Sequence, residues 1–145
     1  MLDTNTLSYL AKQQSVAAER RLASMGSEDR AVISSVTYGE CRFGIAQALR
    51  AGKKLPPYLF ELLKRFEVLP WNASEAQVYG RLRAQLKSMG KAVAPLDTMI
   101  AAHAVAVGAT LVSSDRAFVG VPGLQHESWA REFGSFRSGR ILPLD

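Results

Sequence analysis

Apolar residues in this chain fall into two rhythms, short solid runs and longer stretches spaced three or four apart. The solid runs are Met1-Leu2, residues 31–35 (Ala-Val-Ile-Ser-Ser), 66–69 (Phe-Glu-Val-Leu) and 109–113 (Ala-Thr-Leu-Val-Ser). Runs this short, bounded by turn residues, fit strands buried on both faces of a parallel sheet. Between them, helical spacing predicts helices over 6–12, 16–25, 36–51, 58–64 and 96–107, and one from Asn72 or Ser74 to 89. Leu7 and Leu10 form the i, i+3 pair of the first. Gly52, Gly90 and Gly108 stand where helices stop, and Pro95 suits a first helical turn. A short helix over 116–118, a turn at Val121-Pro122-Gly123 and an edge strand over 124–126 complete the reading. Strand and helix alternate, which predicts an α/β fold with helices on both faces of a parallel sheet.

The length of 145 residues fits one domain, and 48% hydrophobic content is enough for a sizeable core. The basic loop at 52–57, with Lys53 and Lys54, is the main break in composition and is too short to separate domains. No apolar run approaches the roughly 20 residues of a membrane helix. The start lacks the pattern of a secretory signal. Cys41 is the only cysteine, so no internal disulfide forms and a reducing cytoplasm is the expected compartment. The net charge of +5 suits a polyanionic partner or an ordinary basic surface.

Four acids change the picture. Asp3 ends the first strand, and Glu40 lies about one and a half turns into the helix after the second. Asp97 opens the helix before the fourth strand, and Asp115 follows that strand. Each has a bland explanation. Asp3 and Asp97 suit helix N-termini, Glu40 a solvated helix face, and Asp115 a turn. Yet ligand sites in open α/β sheets gather at the carboxyl ends of strands. If the first and fourth strands are neighbours, Asp3 and Asp115 share one edge. Asp97 joins them there, and Glu40 is long enough to reach inward. Carboxylates so grouped repel unless a cation sits among them. Hard oxygen donors select Mg²⁺ or Mn²⁺ over zinc, and such ions support phosphodiester hydrolysis by an activated water.

Blocks around these acids resemble the PIN-domain ribonucleases, and among them the VapC-type toxins. The blocks are Leu2-Asp3-Thr4-Asn5, residues 33–44 (ISSVTYGECRFG), Tyr79-Gly80-Arg81-Leu82-Arg83, residues 95–104 (PLDTMIAAHA) and residues 110–115 (TLVSSD), with Trp129 near the end. The resemblance implies a three-layer PIN-like fold with a four- or five-stranded parallel sheet. It covers a PIN domain over 1–129 and leaves 130–145 as a C-terminal extension. It implies an Mg²⁺- or Mn²⁺-dependent site of Asp3, Glu40, Asp97 and Asp115, supported by Asn5 in the first turn and by the Ser113 hydroxyl. The activity implied is that of the toxin of a toxin–antitoxin pair. It is an endoribonuclease that cuts RNA, including tRNA in some members, and leaves 5′-phosphate and 3′-hydroxyl ends. The partners implied are a cognate VapB-like antitoxin, a second copy of the chain, and toxin–antitoxin hetero-oligomers.

The remaining residues sort less sharply. His103 reads as a helix-packing histidine, His126 as an edge-strand residue and Cys41 as packing. Leu7, Leu10, Phe43, Ile45 and Leu49 line either the core or an antitoxin groove. Arg81, Arg83 and Lys87 form a wet helix face. Arg131, Phe133, Phe136, Arg137 and Arg140 in the tail either contact RNA or pack on the domain. Two rival functions are weighed. A phosphatase of the haloacid-dehalogenase kind needs a second Asp where Asn5 stands. A regulatory partner in an antitoxin-containing DNA-binding complex would have weak or no nuclease activity.

Overall fold

The computed structural model describes residues 1–12 and 15–129. Residues 130–145, with the arginines and aromatics of the predicted extension, lie outside the described residues. Helices α1 (Thr4–Ala11) and α2 (Val16–Ala23) come first, then strand β1 (Val32–Ser34) and helices α3 (Ser35–Arg50) and α4 (Pro57–Lys64). Strand β2 (Glu67–Leu69) and helices α5 (Ala73–Ser88) and α6 (Pro95–Ala106) follow. The chain then forms strand β3 (Leu111–Val112), a 3-10 turn (Arg116–Phe118) and strand β4 (His126–Glu127).

All strand pairs are parallel. β1 pairs with β2 through Ile33↔Val68, and β3 pairs with β4 through Leu111↔His126. Leu2 joins the two halves, bridging Ile33 on one side and Val112 on the other. The order is therefore β2–β1–Leu2–β3–β4. The first predicted strand is reduced to one bridging residue, because Asp3, directly after Leu2, already caps α1.

Side chains alternate across a strand, so neighbours serve opposite faces. Met1, Val32 and Leu111 join Leu82, Leu86 and Ile100 of α5 and α6 on one face. Leu2, Ile33 and Val112 join Leu7, Leu10, Leu62 and Leu63 of α1 and α4 on the other. This is the expected layer of sheet between two layers of helix. The α6 alanines, Ala101, Ala102 and Ala104, are fully buried, and their small size brings the helix close to the sheet.

Strand ends depart from the sequence pattern for identifiable reasons. Ala109 donates its N–H to the Ala104 carbonyl at 2.9 Å, so it finishes the α6 cap instead of starting β3. Gly108 makes that reversal with φ at 66°, a left-handed conformation open to glycine at little cost. Ser34 ends β1 by capping α3, its hydroxyl accepting from the Val36 amide at 3.1 Å. The edge strand falls at His126–Glu127, later than the predicted 124–126, because Leu124 is still turning and donates to the Val121 carbonyl. Among the described residues no helix is long and apolar enough to cross a membrane.

Ile33 is fully buried at the centre of this arrangement. Ile33→Ala should lower unfolding free energy by about 3 kcal/mol, the usual cost of such a cavity, as read by urea denaturation. A loss below about 1 kcal/mol would mean that the site collapses around the change.

Candidate functional site

The bridge at Leu2 sets the site. The Leu2 N–H donates to the Val32 carbonyl at 2.9 Å and the Asp3 N–H to the Val112 carbonyl at 3.1 Å. Asp3 is thereby fixed just past the central bridge, with only 2% of its surface exposed. Its Oδ1 accepts from the Thr6 amide at 2.7 Å, so Asp3 is the N-cap of α1. The helix-cap reading of this residue is the one the hydrogen bond shows. Burial pushes the Asp3 carboxyl above its usual range. Hydrogen bonds from the Ser113 hydroxyl and the Thr6 amide pull it part of the way back, and the nearby Asp115 charge adds to the rise.

Asp97 lies in the first turn of α6, after Pro95 and without a side-chain cap. Its carboxyl is also raised, first by burial and then by the charges of Asp115, Glu40 and Asp3. All four predicted acids therefore stand close enough to share one field. Asp115 is held by two amides. Its side chain accepts from Ala117 N at 2.8 Å, and its own N–H donates to Ser113 Oγ at 3.0 Å. Glu40 reaches from the second turn of α3 and accepts a hydrogen bond from the Thr4 hydroxyl.

None of the ion pairs among the described residues involves these acids; those pairs join Arg21 to Glu127, Arg30 to Glu67 and Lys64 to Glu61. The donor set is entirely carboxylate oxygen, which suits a hard divalent cation. Among the described residues, however, no three His, Cys, Asp or Glu side chains are already grouped to hold a metal ion. A cation held by these acids would have to draw their side chains together.

The other predicted residues lie at different distances from the acids. The Ser113 hydroxyl, fully buried, links Asp3 to the Asp115 amide. Asn5 is exposed on α1 and is not drawn into the group. The Cys41 thiol is pushed up to about 11 by burial and by the charges of Glu40 and Asp3, so it is a poor nucleophile at neutral pH. His103 is fully buried and pairs through Nδ1 with Ser34 Oγ at 2.8 Å, beside the edge of Trp71. His126 places Nε2 at 2.8 Å from the Ser113 carbonyl. Trp129 is buried and donates from Nε1 to Glu127 at 2.6 Å. Thr4 and Thr6 went unassigned in the sequence. Their only signal was a pair of hydroxyls in the helical turn directly behind an acid.

A pH effect follows from the raised carboxyls. The folded state holds the Asp3 and Asp97 protons more tightly than the unfolded chain does. Their contribution to stability is fully present below the unfolded pKa, near 3.8, and is lost as pH rises through the higher folded values. For Asp97, burial and three like charges outweigh the benefit of an acid in a first helical turn. The metal-free Asp97→Asn protein should therefore melt at a higher temperature than the parent at neutral pH and converge with it in acid. A lower melting temperature at neutral pH would contradict this. Asp3→Ala should cost about 1 kcal/mol through loss of the cap, whereas Asp3→Asn keeps it, as denaturant titration would show.

Comparison with known proteins gives the site a context. The model of the PIN domain family matches residues 1–124. The tRNA(fMet)-specific endonuclease VapC of Salmonella typhimurium is 34% identical over 130 residues, covering 89% of this chain and 96% of that protein. Ribonuclease VapC2 of Rickettsia felis is 29% identical over 130 residues, with the same coverage of each. The solved structure of VapBC2 from Rickettsia felis, bound to a DNA fragment from their promoter, superposes with a TM-score of 0.78 at 28% identity. That match covers 89% of this chain and 97% of the other.

Proposed function

The chain belongs to the PIN-domain family, among the VapC ribonucleases, and from that premise we propose that it is a metal-dependent endoribonuclease acting as the toxin of a toxin–antitoxin pair. The observation that carries this reading is the match to the PIN domain over residues 1–124, together with 34% identity across 89% of the chain to a tRNA(fMet)-specific endonuclease VapC. Four carboxylates within one another's electrostatic reach favour a bound Mg²⁺ or Mn²⁺ held by Asp3, Glu40, Asp97 and Asp115. When bound, such an ion supplies charge neutralisation at the phosphate and a more acidic water. The chain's own residues do the rest. Asp3 and Asp115 are set by backbone amides and by Ser113, which orients both. The carboxylates offer a base for the attacking water. Asn5 is assigned only a supporting place in the first turn, with no contact to the acids.

A groove of about 460 Å³ runs beside the acids, between α1, α3 and α4. Leu7, Ile45, Leu55, Leu59, Leu62 and Leu63 line it, with Glu40 at its rim. This is the surface assigned to a VapB-like antitoxin, consistent with structural neighbours solved as VapBC complexes. Of the residues first considered for that role, Leu7 and Ile45 line the groove. Leu10 is core, at 2% exposure, while Phe43 and Leu49 are exposed away from the groove lining. The domain is assigned to residues 1–129, with 130–145 as an extension, and the compartment to the cytoplasm.

Cleavage of total RNA by antitoxin-free protein, with 5′-end mapping, tests the activity. Initiator tRNA is the first defined substrate, because relatives are named for it. The expected result is a discrete cut with Mg²⁺ or Mn²⁺, none with EDTA, and about a hundredfold loss or more in Asp97→Ala. A DNA-bound VapBC neighbour favours a second reading, a regulatory partner with weak or no nuclease activity. No cut from folded protein in any lane would select it.

A further inference from the structure

Thr4 has no assigned part in the site, yet its hydroxyl touches one of the four acids directly. It opens α1 directly after Asp3 and is half-buried. Its hydroxyl donates to Glu40 Oε2, linking two elements that are distant in sequence. Thr4 and Glu40 also both line the apolar groove, at its polar rim.

The four acids differ in what holds them. Asp3 and Asp115 are short side chains fixed by amides two or three residues ahead. Asp97 is also short and rises from the first turn of its helix. Glu40 has one more torsion than an aspartate and reaches from the second turn of α3. Without a partner it would sample several rotamers, both toward the cleft and toward the groove. The Thr4 hydroxyl is the hydrogen-bond donor found on it, and the β-branched Thr4 is itself restricted in χ1.

We propose that Thr4 is a positioning residue for Glu40, fixing the carboxylate by one oxygen so that the other is available to a divalent cation in the cleft. This rests on the cation reading of the acid cluster. Groups that orient metal ligands in this way typically contribute 10- to 100-fold to affinity. The bland alternative is that Thr4 is a first-turn residue whose hydroxyl takes whichever acceptor is nearest. In that case its loss would not act through Glu40.

The test is Mn²⁺ binding to the full-length, antitoxin-free chain at neutral pH, read from the electron paramagnetic resonance signal of free Mn²⁺. Thr4→Val keeps the shape and removes the donor, while Thr4→Ser keeps the donor. Near-ultraviolet circular dichroism checks that each variant is folded. The expected result is a Kd about tenfold weaker for Thr4→Val and close to the parent for Thr4→Ser. Thr4→Val should cause no further loss in a Glu40→Ala background. Parent-like binding by folded Thr4→Val would overturn the proposal. Equal losses with and without the Glu40 carboxylate would also overturn it, by showing a structural role. If the parent itself binds no Mn²⁺, the cation reading fails, and the role of Thr4 fails with it.

Discussion

The two-sided pairing of Leu2 is the constraint on which the rest depends. One residue joins β1 to β3 and turns two short ladders into one sheet. It also decides where the site lies. Because Leu2 is pinned on both sides, the next residue must leave the sheet between two strand ends. Asp3 is that residue, and β3 delivers Ser113 and Asp115 to the same edge. The N-terminal amine is tied as well, donating to the Thr110 carbonyl at 2.7 Å. A strand this short would be unstable alone. It holds because Leu2, Ile33 and Val112 are buried under α1 and α4 while Met1, Val32 and Leu111 are buried under α5 and α6.

This scaffold carries an electrostatic burden. Burial raises the carboxyls of Asp3 and Asp97, and mutual repulsion raises them further. The fold offsets part of the cost at Asp3 with the Thr6 amide and the Ser113 hydroxyl, which stabilise its charged form. A protein selected for stability alone would gain by removing one acid from the group. Retaining all four within reach of the Asp97 charge costs stability, as is common where a protein has been selected for more than stability.

Much of this arrangement was legible in the sequence, because parallel sheets demand solid apolar runs and helices announce their ends. Gly52, Gly90 and Gly108 marked helix stops that the structure places within two residues. The acids were legible as a set, since each followed a strand or sat in the early turns of a helix. Strand lengths were not. Whether Ala109 belongs to a strand or to a helix cap depends on a hydrogen bond to Ala104 that apolar patterning does not encode. The groove was read only in part. Leu10 and Leu49 have similar local patterns, yet one is core and the other exposed, because that depends on how α1 and α3 are oriented. The Thr4–Glu40 contact was invisible for the same reason, since it joins residues 36 apart through the tertiary fold.

The most direct measurement is a crystal structure grown with Mn²⁺ and recorded with anomalous scattering from the metal. The expected result is anomalous density enclosed by the Asp3, Glu40, Asp97 and Asp115 carboxylates, with those side chains drawn inward from their metal-free positions. A well-ordered cleft without such density at saturating Mn²⁺, or density only at unrelated surface carboxylates, would contradict a cation site built from these four acids.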